Sequence, residues 1–103
     1  MTPRQEQLRK LLERTPNDPF LVYALALEHK KAGDLDEALA TLSRVTELDA
    51  NYAYAHFQRG QIYEGRNDLP AARSAYAAGV EAARRAGDAK GEGEIGGALA
   101  GVS

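Results

Sequence analysis

The chain has no cysteine among its 103 residues. This absence excludes disulfide bonds, thiolate nucleophiles and zinc–sulfur sites. Neither sign of charge predominates, because 13 basic and 15 acidic side chains leave a net charge of only −2. So small a net charge offers no electrostatic attraction for nucleic acid or for an anionic membrane, and we expect neither as a partner.

Long hydrophobic runs are missing as well. No stretch approaches the ~18 apolar residues that a membrane-spanning helix needs. The opening MTPRQEQLRKLLERTPNDP is charged throughout and has no apolar segment of the kind that secretory signals carry. A length of 103 residues predicts one domain. We therefore expect a soluble, cytoplasmic protein.

Alternating β-branched residues, which are typical of strands, do not occur, whereas Ala, Leu, Glu, Arg and Lys dominate. This composition predicts an all-α fold. Breaks at proline, glycine and turn residues divide the chain into about six helices, at 3–14, 19–32, 35–49, 53–65, 69–86 and beyond 87. Each interior glycine costs a helix about 1 kcal/mol relative to alanine, so we expect the glycine-rich sixth helix to fray beyond about Leu99.

Residues that cap helices stand before several of these segments. Thr2 and Asp18 precede the first two helices, and Asp34 and Asp68 precede the third and the fifth. We expect Asp34 and Asp68 each to accept hydrogen bonds from free N–H groups, which stabilises a helix by about 1 kcal/mol. Gly33 suits the left-handed position that ends the second helix.

One segment of the sequence is repeated. The stretch GDLDEALATL at 33–42 is echoed by NDLPAARSAY at 67–76, and the matching Asp, Leu and Ala residues are 34 positions apart. A helical hairpin cannot bury both of its apolar faces alone, so this period indicates helix–turn–helix units that stack on one another.

Two helix pairs at this period resemble the tetratricopeptide repeat family. In that family small residues lie where the two helices of a unit touch, and the matching positions hold Ala26, Gly60, Ala38 and Ala72. The resemblance implies one domain of antiparallel helix hairpins in a short right-handed superhelix. Its parts are a capping helix within 1–18, repeats at 19–52 and 53–86, and a glycine-rich capping helix or tail at 87–103.

No catalytic or metal-binding constellation is present. His29 and His56 fall at packing positions, where we expect packed, hydrogen-bonded side chains and not ligands. No HExxH, P-loop or GxSxG motif occurs, and GEGEIGGALAG lacks the strand that precedes a dinucleotide-binding loop. We therefore predict no enzyme activity, no cofactor and no metal.

The first helix of each repeat carries an apolar face. In a tetratricopeptide stack this face lines a concave groove, where aromatic side chains give contact area at low entropic cost. The resemblance thus implies a partner-binding groove. Its residues are Phe20, Tyr23, Leu27, Lys30, Tyr54, Phe57, Gln58 and Gln61.

Three interpretations of this face stay open at this point: a groove for a protein or peptide partner, a surface filled by neighbouring helices and the tail, or self-association as a homodimer. The first makes the chain a non-catalytic adaptor or scaffold, and the others make it a structural domain. Some family members bind acidic chaperone C-termini through a carboxylate clamp. Tyr23, Leu27 and Gln58 stand at clamp positions here, so we predict no clamp.

Overall fold

The computed structural model describes residues 1–103, which fold into six α-helices and no strand. The helices are α1 (Pro3–Arg14), α2 (Pro19–Lys31), α3 (Leu35–Leu48), α4 (Ala53–Gly65), α5 (Leu69–Ala86) and α6 (Ala89–Gly101). The predicted all-α class and the positions of the helices are confirmed. None of the six combines the length and the apolar character that crossing a bilayer requires.

The chain forms two compact units, Met1–Asp49 and Ala50–Ser103. In the first unit, α2 and α3 form a helical hairpin and α1 packs against α2. The buried apolar residues of this unit are Leu8, Val22, Ala26, Ala38, Leu42 and Val45. The capping box predicted at Thr2 is present, because its hydroxyl and the Gln5 side chain each accept the other residue's backbone N–H at 3.1 Å.

In the second unit, α4 and α5 form a hairpin, and α6 packs chiefly against α5. Its core holds Ala53, Ala72, Tyr76, Ala82, Ala83, Ile95 and Val102. The closest approach of α4 to α5 is at Gly60, where an added Cβ would lie 2.5 Å from Cδ1 of Tyr76. Only a residue without a side chain leaves room for this ring.

Three helix ends use the same turn. Gly33, Asn67 and Gly87 adopt left-handed conformations, with φ of 85°, 60° and 70°. In each turn the amide of the next residue donates to a carbonyl five residues back at 2.9 Å: Asp34 to His29, Asp68 to Tyr63, and Asp88 to Ala83. This pattern satisfies carbonyls that a helix end otherwise leaves free. The predicted role of Gly33 is confirmed.

The two echoed aspartates differ in what their side chains do. Asp68 caps α5, accepting from the amide of Ala71 at 3.3 Å. Asp34 occupies the equivalent position before α3, but its side chain makes no capping hydrogen bond, so this part of the prediction is wrong. Asp36 and Glu37 follow Asp34 in the first turn, and repulsion between like charges favours a solvated Asp34 carboxylate.

The expected fraying of α6 beyond Leu99 is also wrong, because the helix continues to Gly101 and Val102 is buried. Arg73 on α5 donates from its guanidinium to the carbonyl of Val102 at 3.0 Å. Arg84, near the end of α5, pairs with Glu92 at 3.0 Å. Contacts at both ends of α6, together with the buried Val102, offset the cost of its glycines.

Candidate functional site: a groove in the second unit

Four of the predicted groove residues lie along one face of α2 in the first unit. Phe20, in the first turn, is 66% exposed. Tyr23, Leu27 and Lys30 follow at helical spacing and are each half-buried. Partial burial lowers the pKa of the Lys30 ammonium. This face therefore presents one exposed aromatic ring and one partly desolvated cation.

The other four predicted groove residues lie on α4 in the second unit. Tyr54, Phe57 and Gln58 are half-buried and Gln61 is exposed. The rings of Tyr54 and Phe57 meet edge to face, with their centroids 5.9 Å apart. Phe57 also stands 5.9 Å from the ring of Tyr76 on α5. Successive edge-to-face and tilted contacts of this kind stabilise an aromatic cluster beyond its buried area.

Phe57 and Gln61 open onto a groove of about 530 Å³, which we call the second-unit groove. The complete lining is Phe57, Gln61, Glu64, Gly65, Tyr76, Ala98 and Gly101, from α4, α5 and α6. Tyr54 and Gln58 are not part of this lining, although the ring of Tyr54 contacts that of Phe57. The groove is therefore a shallow cleft with an aromatic side and a side of small residues.

Tyr76 forms the floor of the groove and is only 1% exposed. Its hydroxyl donates a hydrogen bond of 2.7 Å to Oε1 of Glu64. Burial, and then this bond to the Glu64 carboxylate and its charge, raise the pKa of Tyr76 well above its usual range. The phenol therefore stays protonated, and its bond holds the Glu64 side chain at the edge of the groove.

Sequence reasoning missed more than half of the lining: Gly65, Tyr76, Ala98 and Gly101. Tyr76 falls at the end of the echoed stretch, but nothing in the pattern brings its ring into contact with Phe57. Ala98 and Gly101 are small residues on one face of α6, and an added Cβ at Gly101 would meet no atom within 4 Å.

The two histidines are packed, as expected, but not fully hydrogen-bonded. Nδ1 of His29 and Nδ1 of His56 are buried and have no hydrogen-bond partner. Burial, and then the charges of Arg59 and Arg85, lower the pKa of His56. Protonation would place a buried N–H at Nδ1 with no acceptor, which also favours the neutral ring.

Comparison with known proteins agrees with this helical architecture. A family model for the TPR repeat matches residues 26–65. A TPR repeat-containing protein of Pseudomonas aeruginosa is 30% identical over 90 residues, which cover 87% of this chain and 86% of that protein. A tetratricopeptide repeat domain protein from Salinibacter ruber, solved by NMR, is 35% identical with a TM-score of 0.79, over 85% of this chain and 89% of that one.

The crystal structure of PcrH in complex with the chaperone binding region of PopD superposes with a TM-score of 0.86. The match covers 95% of this chain and 74% of that one at 19% identity, and thus supports the fold alone. Three observations lead to the same family: the helix hairpins, the 34-residue period, and the match to the Pseudomonas aeruginosa protein over most of both chains. The chain belongs to the tetratricopeptide repeat family, whose fold is that of protein–protein interaction scaffolds.

Proposed function

We propose that the chain is a non-catalytic protein–protein interaction module, and that the second-unit groove binds a segment of a partner protein. The observation that carries this proposal is the groove itself. It is open to solvent, lined by the rings of Phe57 and Tyr76, and bordered by the small residues Ala98 and Gly101. Aromatic side chains around a cleft are the usual anchors of a protein interface.

The exposed face of α2 provides a second contact surface in this proposal. Phe20 is 66% exposed, and Tyr23, Leu27 and Lys30 continue the same face. An exposed phenylalanine has little use in an isolated unit, but it gives a partner a large apolar area to cover. PcrH, which shares the fold, is seen bound to a region of another protein, PopD, and this supports partner binding as a use of such a scaffold.

The proposal is tested by filling the groove without touching the core. Gly101→Leu adds a side chain where an added Cβ meets no atom within 4 Å, directly in the groove lining. Gly93→Leu is the matched control, because Gly93 is equally open on the same helix and lies outside the lining. Both changes replace a helical glycine, so neither is expected to unfold α6.

The experiment is affinity capture from the native lysate with wild type and both variants, followed by mass spectrometry. We expect one partner to be captured by wild type and Gly93→Leu and to be lost with Gly101→Leu. Equal capture by all three proteins would contradict the use of this groove. The double change Tyr23→Ala with Phe57→Ala probes both faces, but circular dichroism must accompany it because Phe57 contacts Tyr76.

Self-association is the second candidate function, and one observation favours it. Met1 and Leu11, on or next to α1, are 66% and 42% exposed, so this end of the first unit carries uncovered apolar side chains. A homodimer through α1 would cover them. Light scattering over a concentration series distinguishes the two functions: a rising mass that Leu11→Lys abolishes supports the dimer, and a constant monomer mass refutes it.

A further inference from the structure

The second-unit groove has an uneven charge. Glu64 is the one ionisable acid in its lining, and the lining contains no lysine, arginine or histidine. Its carboxylate is on an exposed residue, and Tyr76 uses only one of its oxygens. A carboxylate offers about four lone-pair sites, so Glu64 retains acceptor capacity toward a ligand while it holds the tyrosine.

The C-terminal end of α4 adds to this negative potential. Gly65 is the last residue of α4 and Gly101 is the last residue of α6, and both line the groove. The C-terminal end of an α-helix carries the equivalent of about half a negative charge, which favours a cation nearby. The Glu64 carboxylate and the end of α4 therefore lie beside the apolar ring of Phe57, whereas the end of α6 already has a cation, because Arg73 donates to the Val102 carbonyl at 3.0 Å.

We propose that the partner segment carries a lysine or arginine side chain next to an apolar one; this inference rests on the proposed function of the groove. The apolar side chain lies against the ring of Phe57, and the cation lies against Glu64 and the C-terminal end of α4. The accessible part of the Phe57 ring attracts a cation as well. An acidic segment would instead meet the like charge of Glu64.

Synthetic peptides test this choice of partner. Three peptides share a Gly-Ser scaffold with a central Leu-Phe pair, and they differ only in the two flanking residues, which are Lys, Gln or Glu. Each is titrated at low salt into ¹⁵N-labelled protein. We expect the Lys peptide to bind most tightly, to shift the amides of Gln61, Gly65 and Gly101, and to weaken as salt is added.

Glu64→Gln isolates the charge, because the glutamine oxygen still accepts the hydrogen bond from Tyr76 while the negative charge is gone. We expect it to weaken the Lys peptide by about three- to tenfold and to leave the Gln peptide unchanged. Glu47→Gln is the matched control, since Glu47 is an exposed glutamate of the first unit. Gln61→Lys provides a second variant, which adds a cation to the groove lining; because this charge offsets that of Glu64, the preference for the Lys peptide over the Glu peptide should be lost.

Three other outcomes of the peptide titrations would each refute a different part of the proposal. If the Lys and Gln peptides bind the groove equally and Glu64→Gln changes nothing, the cationic partner is wrong while the groove remains a binding site. If the Glu peptide binds most tightly, the inferred charge of the partner is wrong. If no peptide shifts any groove amide, the cationic segment and the proposed binding function of the groove are both overturned.

Discussion

The packing of Gly60 against Tyr76 yields the sharpest stability prediction. An alanine methyl at Gly60 would lie 2.5 Å from Cδ1 and 2.9 Å from Cζ of the Tyr76 ring. Carbon atoms in favourable contact are about 3.5–4.0 Å apart, so the ring must move by about 1 Å. The ring cannot do so freely, because it is 1% exposed and its hydroxyl is bonded to Glu64.

The expected magnitude follows from two opposing effects. Overpacking a buried site of this kind costs about 1–3 kcal/mol. Replacing glycine by alanine within a helix returns about 1 kcal/mol. Because the clash is severe and the ring is held at both ends, we expect a net loss of about 1–2 kcal/mol for Gly60→Ala. For a domain of this size the melting temperature falls by about 5–15 °C.

Urea denaturation followed by circular dichroism measures the loss, with Gly93→Ala as control. Gly93 is helical and open, so its alanine variant should gain up to about 1 kcal/mol. Ala26 and Leu42 occupy the equivalent positions 34 residues earlier, and both are fully buried. Tyr76→Leu should therefore remove the penalty of Gly60→Ala. A Gly60→Ala variant as stable as wild type, or an equal penalty in both backgrounds, would refute the reasoning.

Three further predictions concern caps, pH and the end of α6. Asp68→Ala should lower the free energy of unfolding by about 1 kcal/mol in urea titrations, and Asp34→Ala by less than half as much, because only Asp68 makes a capping bond. The pKa of His56 is lowered, first by burial, so the unfolded chain takes the proton first; stability should fall as pH drops below about 6.5, and His56→Gln should reduce that fall. Arg73→Ala removes the bond to the Val102 carbonyl, so the amides in the last turn of α6 should exchange faster with solvent.

Local features of this fold could be predicted because their causes are local. Helix starts at Thr2 and Asp18, and the left-handed turn at Gly33, follow from side-chain and backbone chemistry within a few residues. The same kind of reasoning failed at Asp34, although it matches Asp68 in the repeat. The identity of the residue does not suffice there, because equivalent aspartates in the two repeats differ: Asp68 makes a capping hydrogen bond and Asp34 does not.

The groove could be predicted only in part, because it depends on how three helices meet. Helical spacing correctly places Phe57 and Gln61 on one face of α4. It does not reveal that Tyr76 lies beneath them, or that small residues of α6 leave a cleft beside them. The glycine content of α6 predicts that the end of this helix frays. The sequence does not reveal the contacts that Arg73 and Arg84 make to α6, which help to hold it in place.

The most direct test of the account is the binding site of the captured partner on this chain. A segment of that partner, added to ¹⁵N-labelled protein, should shift amides at Phe57, Gln61, Glu64 and Gly101, which line the second-unit groove. Gly101→Leu should abolish these shifts and Gly93→Leu should preserve them. Shifts confined to α1 or α3, or shifts that persist in Gly101→Leu, would contradict the claim that this groove is the partner-binding site.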